Sequence, residues 1–197
     1  QSIEDLHGRT VSIGAEESGS EQNARQILSA YGLNDKMVSM VNLNYEDAAA
    51  QLKAGRVDAI FMTVGAPSPV LTALAGECGI RLLKVDGAAA QRLQSAYSAY
   101  SGVTLPAGTY PGQTEKVQTV GVKAVLLASN ALPAKQVQQL TQLLFSSREG
   151  LEEQLGIPLD PEENAVEGVD IPFHAGGPHI IRRQELRSMK RLGTEGK

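Results

Sequence analysis

Ser18-Gly19-Ser20-Glu21 places a side-chain cap, two nearly side-chain-free positions and a carboxylate within a single turn of chain. Ser18 standing three residues before Glu21 is the reciprocal capping pair that opens a helix. Gly19 and Ser20 leave the first N–H groups of that helix open to approach. A helix start of this kind draws an anion through unpaired donors and the positive end of its dipole. The same residues also make an ordinary strand-to-helix turn. A second stretch of the same character lies at Thr63-Val64-Gly65-Ala66-Pro67-Ser68, where small residues and a proline precede a helix. Pro67 suits a first helical turn, where its missing N–H is no loss. Two such helix starts opening on one crevice would clamp a carboxylate. Tyr110, set between Gly108 and Pro111-Gly112, is expected on an exposed turn where its ring can meet a solute.

Other chemistries find less support. Gly14 and Gly19 have the separation of the two P-loop glycines, but Ser20-Glu21 stands in place of the Lys-Ser/Thr step. Glu16 and Glu17 would repel a polyphosphate, and no G-x-G-x-x-G follows the first strand. No G-x-S-x-G elbow is present for a serine nucleophile. His7, His174 and His179 are far apart in sequence, without an H-E-x-x-H or a cysteine partner, so neither a metal nor a cofactor is expected. His174, between Phe173 and Ala175-Gly176, fits a packed or capping role better than a catalytic one. Cys78 is the only cysteine; beside Gly76, Glu77 and Gly79 it has no activating cation and reads as a passive thiol. The 197 residues carry a formal charge of −4, which gives nucleic acid no general attraction. No apolar run approaches the length that spans a bilayer. Basic charge gathers after Pro178, as Arg182, Arg183, Arg187, Lys190, Arg191 and Lys197 against Glu185 and Glu195. That tail suits a solvated helix face, a lipid or nucleic-acid contact, or a link to a partner.

Four strand-plus-helix units must position these residues. Val11 and Ile13 alternate with Ser12 before Gly14, and the helix after Ser18 runs to Tyr31 and closes at Gly32. Val38–Leu43 precedes a helix Tyr45–Ala54 ended by Gly55. Val57–Met62 precedes the turn Thr63–Ser68 and a helix to about Ala75. Ile80–Val85 precedes a helix over roughly Ala88–Tyr97. This alternation predicts an α/β fold with a mostly parallel sheet. Ligands in such sheets sit beyond the carboxyl ends of the strands, where Gly14–Ser20, Asn42–Glu46, Thr63–Ser68 and Asp86–Gly87 are expected to converge. Residues 98–118 are rich in Ser, Gly, Pro and Thr and read as a long loop: a hinge, a binding loop or a domain boundary. Val120–Ala128 reads as a strand, Pro133 opens a helix with Val137, Leu140, Leu143 and Leu144 on one side, and a second helix runs to about Leu155, ended by Gly156. Pro158, Asp160 and Pro161 then break the chain.

These segments, in this order, resemble the TAXI-family solute receptors of tripartite ATP-independent periplasmic (TRAP) transporters. The residues that carry the resemblance are 5–14 (DLHGRTVSIG), Ser18-Gly19-Ser20-Glu21 with 23–28 (NARQIL), 55–59 (GRVDA), Gly65-Ala66-Pro67, 106–113 (PAGTYPGQ) and 171–176 (IPFHAG). The resemblance covers nearly all of the chain up to about Gly176. It implies a type II periplasmic-binding-protein-like α/β fold, with one complete βα lobe and the C-terminal part of a second lobe. Residues 1–113 would form the complete lobe, 114–177 the hinge return and partial lobe, and 178–197 the basic tail. It implies a non-enzymatic, periplasmic or extracytoplasmic receptor that hands a small carboxylate, such as glutamate or a dicarboxylate, to a TRAP membrane permease. Ser18, Gly19, Ser20, Glu21, Thr63, Gly65 and Pro67 would line the cleft, and Tyr110 would sit near the hinge.

Two departures qualify the match. The chain is expected to begin where the family's second lobe begins, which leaves residues 117–176 to pair elsewhere, a second copy of the chain being one partner. Residues 177–183 (GPHIIRR) replace the family's aromatic-rich closing helix. A sensory or protein-interaction domain derived from such a lobe, reporting through the basic tail, is the alternative reading.

Overall fold

The structure, a computed structural model, describes residues 2–155, 159–161, 164–165, 169 and 171–177. The basic tail expected over 178–197, and the breaks expected at Gly156 and Pro158, lie outside the described residues. The chain forms two compact units, Gln1–Val122 and Lys123–Lys197.

The first unit is built on a three-stranded parallel sheet in the order β2-β1-β3, with β1 Thr10–Ser12, β2 Ser39–Val41 and β3 Ala59–Ile60. Thr10 lies opposite Ser39, and Val11 opposite both Met40 and Ala59. Residues in register share a face, so Val11, Met40 and Ala59 look one way and Ser12, Val41 and Ile60 the other. The first face meets α1 (Gly19–Ala30), whose Ala24, Ile27 and Leu28 join Val11 and Ile13 in the core. On that helix the apolar positions recur at helical spacing, as an amphipathic helix requires. α2 (Tyr45–Lys53) and α3 (Pro69–Cys78) pack against each other and bury Ala48, Ala49, Leu74 and Ala75. Ser12 is 0% exposed and its hydroxyl has no hydrogen-bond partner among the described residues. The alternation of Val11, Ser12 and Ile13 thus marks a strand buried on both faces.

α4 (Gly87–Ala96) lies on α1, its Arg92 donating to the carbonyl oxygen of Ala30 at 2.8 Å. The stretch Ile80–Val85 is not a strand: Gly79 turns the chain at φ 65°, and the N–H of Val85 goes to Gln118 rather than to β3. The 98–118 loop is also corrected. Tyr100–Leu105 is a strand, β4, paired antiparallel with β5 (Val117–Val122) over six residue pairs. Serine, glycine and threonine dilute the pattern of β4 in sequence; a partner strand supplies the order that local propensity does not. Gly121 permits the pairing, because a Cβ there would stand 2.8 Å from Val103 Cγ2. Tyr100 anchors β4 in the core of the first unit, with Val120 and Val122 packed against it.

In the second unit the strand expected over Val120–Ala128 stops at Val122, and Leu126 and Leu127 are 68% and 72% exposed. α5 (Ala134–Ser146) starts directly after Pro133, and α6 (Arg148–Leu155) follows it. Gly176 packs on the first turns of α5: a Cβ there would collide with the Ala134 carbonyl oxygen and the Gln138 nitrogen. His174 Nδ1 accepts the Gly176 N–H at 3.0 Å, a local bond within the turn 174–177.

Candidate functional site

The start of α1 is assembled by Gly14, which ends the β1 segment at φ 101°. A Cβ on Gly14 would stand 2.7 Å from Ser20 Cβ and 3.1 Å from the Glu21 nitrogen, so the helix start rests on bare backbone. Ser18 is the N-cap, and its Oγ accepts the Glu21 N–H at 3.1 Å. The reciprocal half of the capping pair reaches one residue further than sequence spacing suggests. Glu21 Oε2 accepts from the Glu17 N–H at 2.8 Å, while the Ser18 N–H bonds back to Ala15 in a tight turn. Glu17 sits at φ 58°, a left-handed conformation that delivers its N–H to that carboxylate.

Glu21 Oε1 is taken by Arg25, whose Nε and Nη2 lie at 3.0 and 2.9 Å. The Arg25 guanidinium first, and then the Glu17 N–H, hold the carboxyl below the usual glutamate range, with the Asn42 side chain adding to them. Glu21 therefore braces the loop, and both its oxygens are engaged. The N–H groups of Gly19 and Ser20, the first two of α1, meet no acceptor among the described residues. Gly19 is exposed and a Cβ there would meet nothing within 4 Å, so the helix start is open on the Gly19 side, while Ser20 is buried. The arrangement suits an anion: two free N–H groups, the positive helix end and a cap that uses neither of them.

Three of the four loops expected to converge do so. The Gly14 carbonyl oxygen accepts Asn42 Nδ2 and the Leu43 N–H, both at 3.1 Å, which ties the first loop to the second. Ser20 Oγ and the Tyr45 hydroxyl are 2.5 Å apart, and the Tyr45 hydroxyl donates to the Thr63 carbonyl oxygen at 3.0 Å. Asn23 Nδ2 donates to Thr63 Oγ1 at 3.1 Å. The fourth loop is elsewhere. The Tyr31 hydroxyl, at the far end of α1, bonds both the N–H and the carbonyl oxygen of Asp86, at 2.9 and 3.1 Å. Because 80–85 never joins the parallel sheet, Asp86–Gly87 is carried to the C-terminal end of α1, roughly 18 Å along the helix from its start.

In the Thr63–Ser68 loop, Gly65 and Pro67 are exposed, as is Thr63, while Ser68 is buried. Pro67 lies outside the helix; Pro69 takes the first helical position and Ser68 the cap. Tyr110 departs furthest from expectation. It is 3% exposed, and its hydroxyl accepts the Ser68 N–H at 3.0 Å. The Gly108 to Gln113 turn folds inward through bonds from Gly108 N–H to the Gln113 carbonyl oxygen and from Tyr110 N–H to Gln113 Oε1.

Sequence reasoning missed Tyr45 and Asn23, and took Tyr100 for a ring that covers a hinge rather than one that stacks on a ligand. Tyr45 was findable: Asn44 caps α2 by accepting the Asp47 N–H at 2.8 Å, and that pair puts Tyr45 at the first helical position beside the crevice. The Tyr100 hydroxyl lies 2.8 Å from Asn23 Oδ1 and 2.6 Å from Gln26 Oε1, with one proton to share between them, across a span created by the β4 pairing. Among the described residues no three His, Cys, Asp or Glu side chains group to hold a metal ion, and no helix is long and apolar enough to cross a membrane.

The alternating strands and helices, the parallel sheet and the loops gathered at its carboxyl edge fit a periplasmic-binding-like architecture. The model of the NMT1-like family matches residues 1–179. The chain belongs to the NMT1-like family, a periplasmic-binding-protein-like family.

Proposed function

We propose that this chain is a non-enzymatic, extracytoplasmic solute-binding receptor that takes a small organic anion, glutamate or a dicarboxylate, at the start of α1. In this reading it has the type II two-lobed fold of the TAXI receptors and delivers its solute to a TRAP-type permease. Membership of the NMT1-like family supports a solute-binding role. The observation that carries the choice of ligand is the pair of N–H groups at Gly19 and Ser20, which meet no acceptor among the described residues, at a helix start tied through Tyr45 and Asn23 to Thr63. Glu16 and Glu17, exposed on the approach, disfavour a polyphosphate and leave a small carboxylate as the better fit.

Amide-resolved NMR titration with L-glutamate, succinate and 2-oxoglutarate tests the reading. Saturable shifts centred on Gly19 and Ser20 support it. Shifts absent for every probe, or centred away from α1, count against it.

A further inference from the structure

The Thr63–Ser68 loop is fixed at both ends and free between them. At its entrance the Tyr45 hydroxyl donates to the Thr63 carbonyl oxygen at 3.0 Å, and Thr63 Oγ1 accepts from Asn23. At its exit the Ser68 N–H donates to the Tyr110 hydroxyl at 3.0 Å. No hydrogen bond reaches Val64, Gly65, Ala66 or Pro67 from any described residue, and Val64, Gly65 and Pro67 are exposed. A tyrosine has one hydroxyl proton. That of Tyr45 goes to Thr63, so in the 2.5 Å contact Ser20 is the donor. A directed chain therefore runs from the second residue of α1, through Tyr45, into the loop.

We propose that Tyr45 and Tyr110 are positioning residues that set where the free segment Val64–Pro67 stands against the start of α1. Neither touches the solute. Tyr110 is buried in the turn after β4, and the hydroxyl of Tyr45 is engaged on both sides. Their effect passes through Ser20, Thr63 and Ser68. The inference rests on the reading of the α1 start as an anion site, and it gives the second wall of that site a fixed distance from the first. An aromatic ring with two torsions suits this use, because it spans a gap with little entropy to lose. Loops that carry binding groups are commonly held this way by the scaffold beneath them.

The test uses Tyr45→Phe and Tyr110→Phe in the full chain, with Tyr97→Phe as the control, since Tyr97 is exposed, its ring lies edge-on to Tyr100, and its hydroxyl makes no hydrogen bond to a described residue. Backbone relaxation should show the order parameters of the Val64, Gly65 and Ala66 amides falling from their wild-type values to below about 0.6 in Tyr45→Phe. Exchange of the Ser68 amide should quicken about tenfold in Tyr110→Phe, the worth of one hydrogen bond. Dissociation constants for the L-glutamate and succinate probes should rise about fivefold or more in both, with the thermal midpoint close to wild type in Tyr45→Phe and lowered in Tyr110→Phe, where the buried Ser68 N–H loses its acceptor. Unchanged loop dynamics overturn the proposal. So do altered dynamics with unaltered affinity, because the hydroxyls would then serve stability alone. Wild-type protein that binds neither probe defeats the anion reading instead, and the relaxation data still decide whether the tyrosines hold the loop.

Discussion

The Ser20 hydroxyl, on the second residue of α1, lies 2.5 Å from the hydroxyl of Tyr45, the first residue of α2. Two helix starts that follow different strands are thereby joined through side chains at the carboxyl edge of the sheet. The contact leaves the backbone N–H groups of Gly19 and Ser20 unused. The polar network engages side chains and keeps the main-chain donors free.

Replacing Ser18 by Ala removes the acceptor of the Glu21 N–H. The expected loss is about 1 kcal/mol of stability, the usual worth of an N-cap. Urea unfolding followed by far-ultraviolet circular dichroism would read it as a lower midpoint at constant slope. A Ser18→Asp variant should recover most of the loss, because aspartate caps as well as serine.

Gly14→Ala and Gly8→Ala both place a side chain at positive φ, 101° and 75°, but only at Gly14 does a Cβ meet Ser20 and Glu21. Gly8→Ala should cost about 1 kcal/mol for conformation alone. Gly14→Ala should cost about 2–3 kcal/mol, since the α1 start must also shift. Equal losses in thermal unfolding would show that the close approach at Gly14 carries no energy.

Glu21 couples the loop to pH. Its folded pKa lies below the ordinary value of 4.5, so the stability it contributes is full above that value and is lost as pH falls through the lowered one. Glu21→Gln should therefore be less stable than wild type at neutral pH and indistinguishable from it in strong acid. Arg25→Gln should remove most of the same pH dependence, because Arg25 is the largest cause of the shift. Denaturant midpoints for the three proteins across the acid range provide the check.

Ser12 runs the other way. Its hydroxyl is buried without a partner among the described residues, and a buried unpaired hydroxyl costs about 1–3 kcal/mol. Ser12→Ala is expected to leave the thermal midpoint unchanged or raise it. A clear drop would mean that the hydroxyl is hydrogen-bonded in solution.

The parts of this molecule governed by local rules were legible in its sequence. Ser18, Asn44, Gly32 and Gly55 announce where α1 and α2 begin and end, and the apolar spacing of Ala24, Ile27 and Leu28 announces which face is buried. Non-local pairing was not legible. β4 has no pattern of its own and exists because β5 lies against it, and the detour of 80–85 follows from the same hairpin. The candidate site divides along that line. Ser18, Gly19 and Ser20 stand where their spacing put them, whereas the burial of Tyr110 and the bridge made by Tyr45 depend on distant elements meeting. Glycine and proline around Tyr110 do mark a turn; whether a turn faces solvent or core is decided by what the ring finds to cover it.

Gly19→Pro tests the central claim most directly. Ser18 is extended, at φ −82° and ψ 157°, as a residue before proline must be, and proline is well tolerated at the first helical position. The variant deletes one free N–H donor and keeps the helix. Titration of wild type and variant with L-glutamate and succinate, alongside thermal unfolding, should show about a tenfold weaker affinity at an unchanged midpoint, the worth of one hydrogen bond to a charged group. Equal affinity for the two proteins would contradict carboxylate capture at the start of α1.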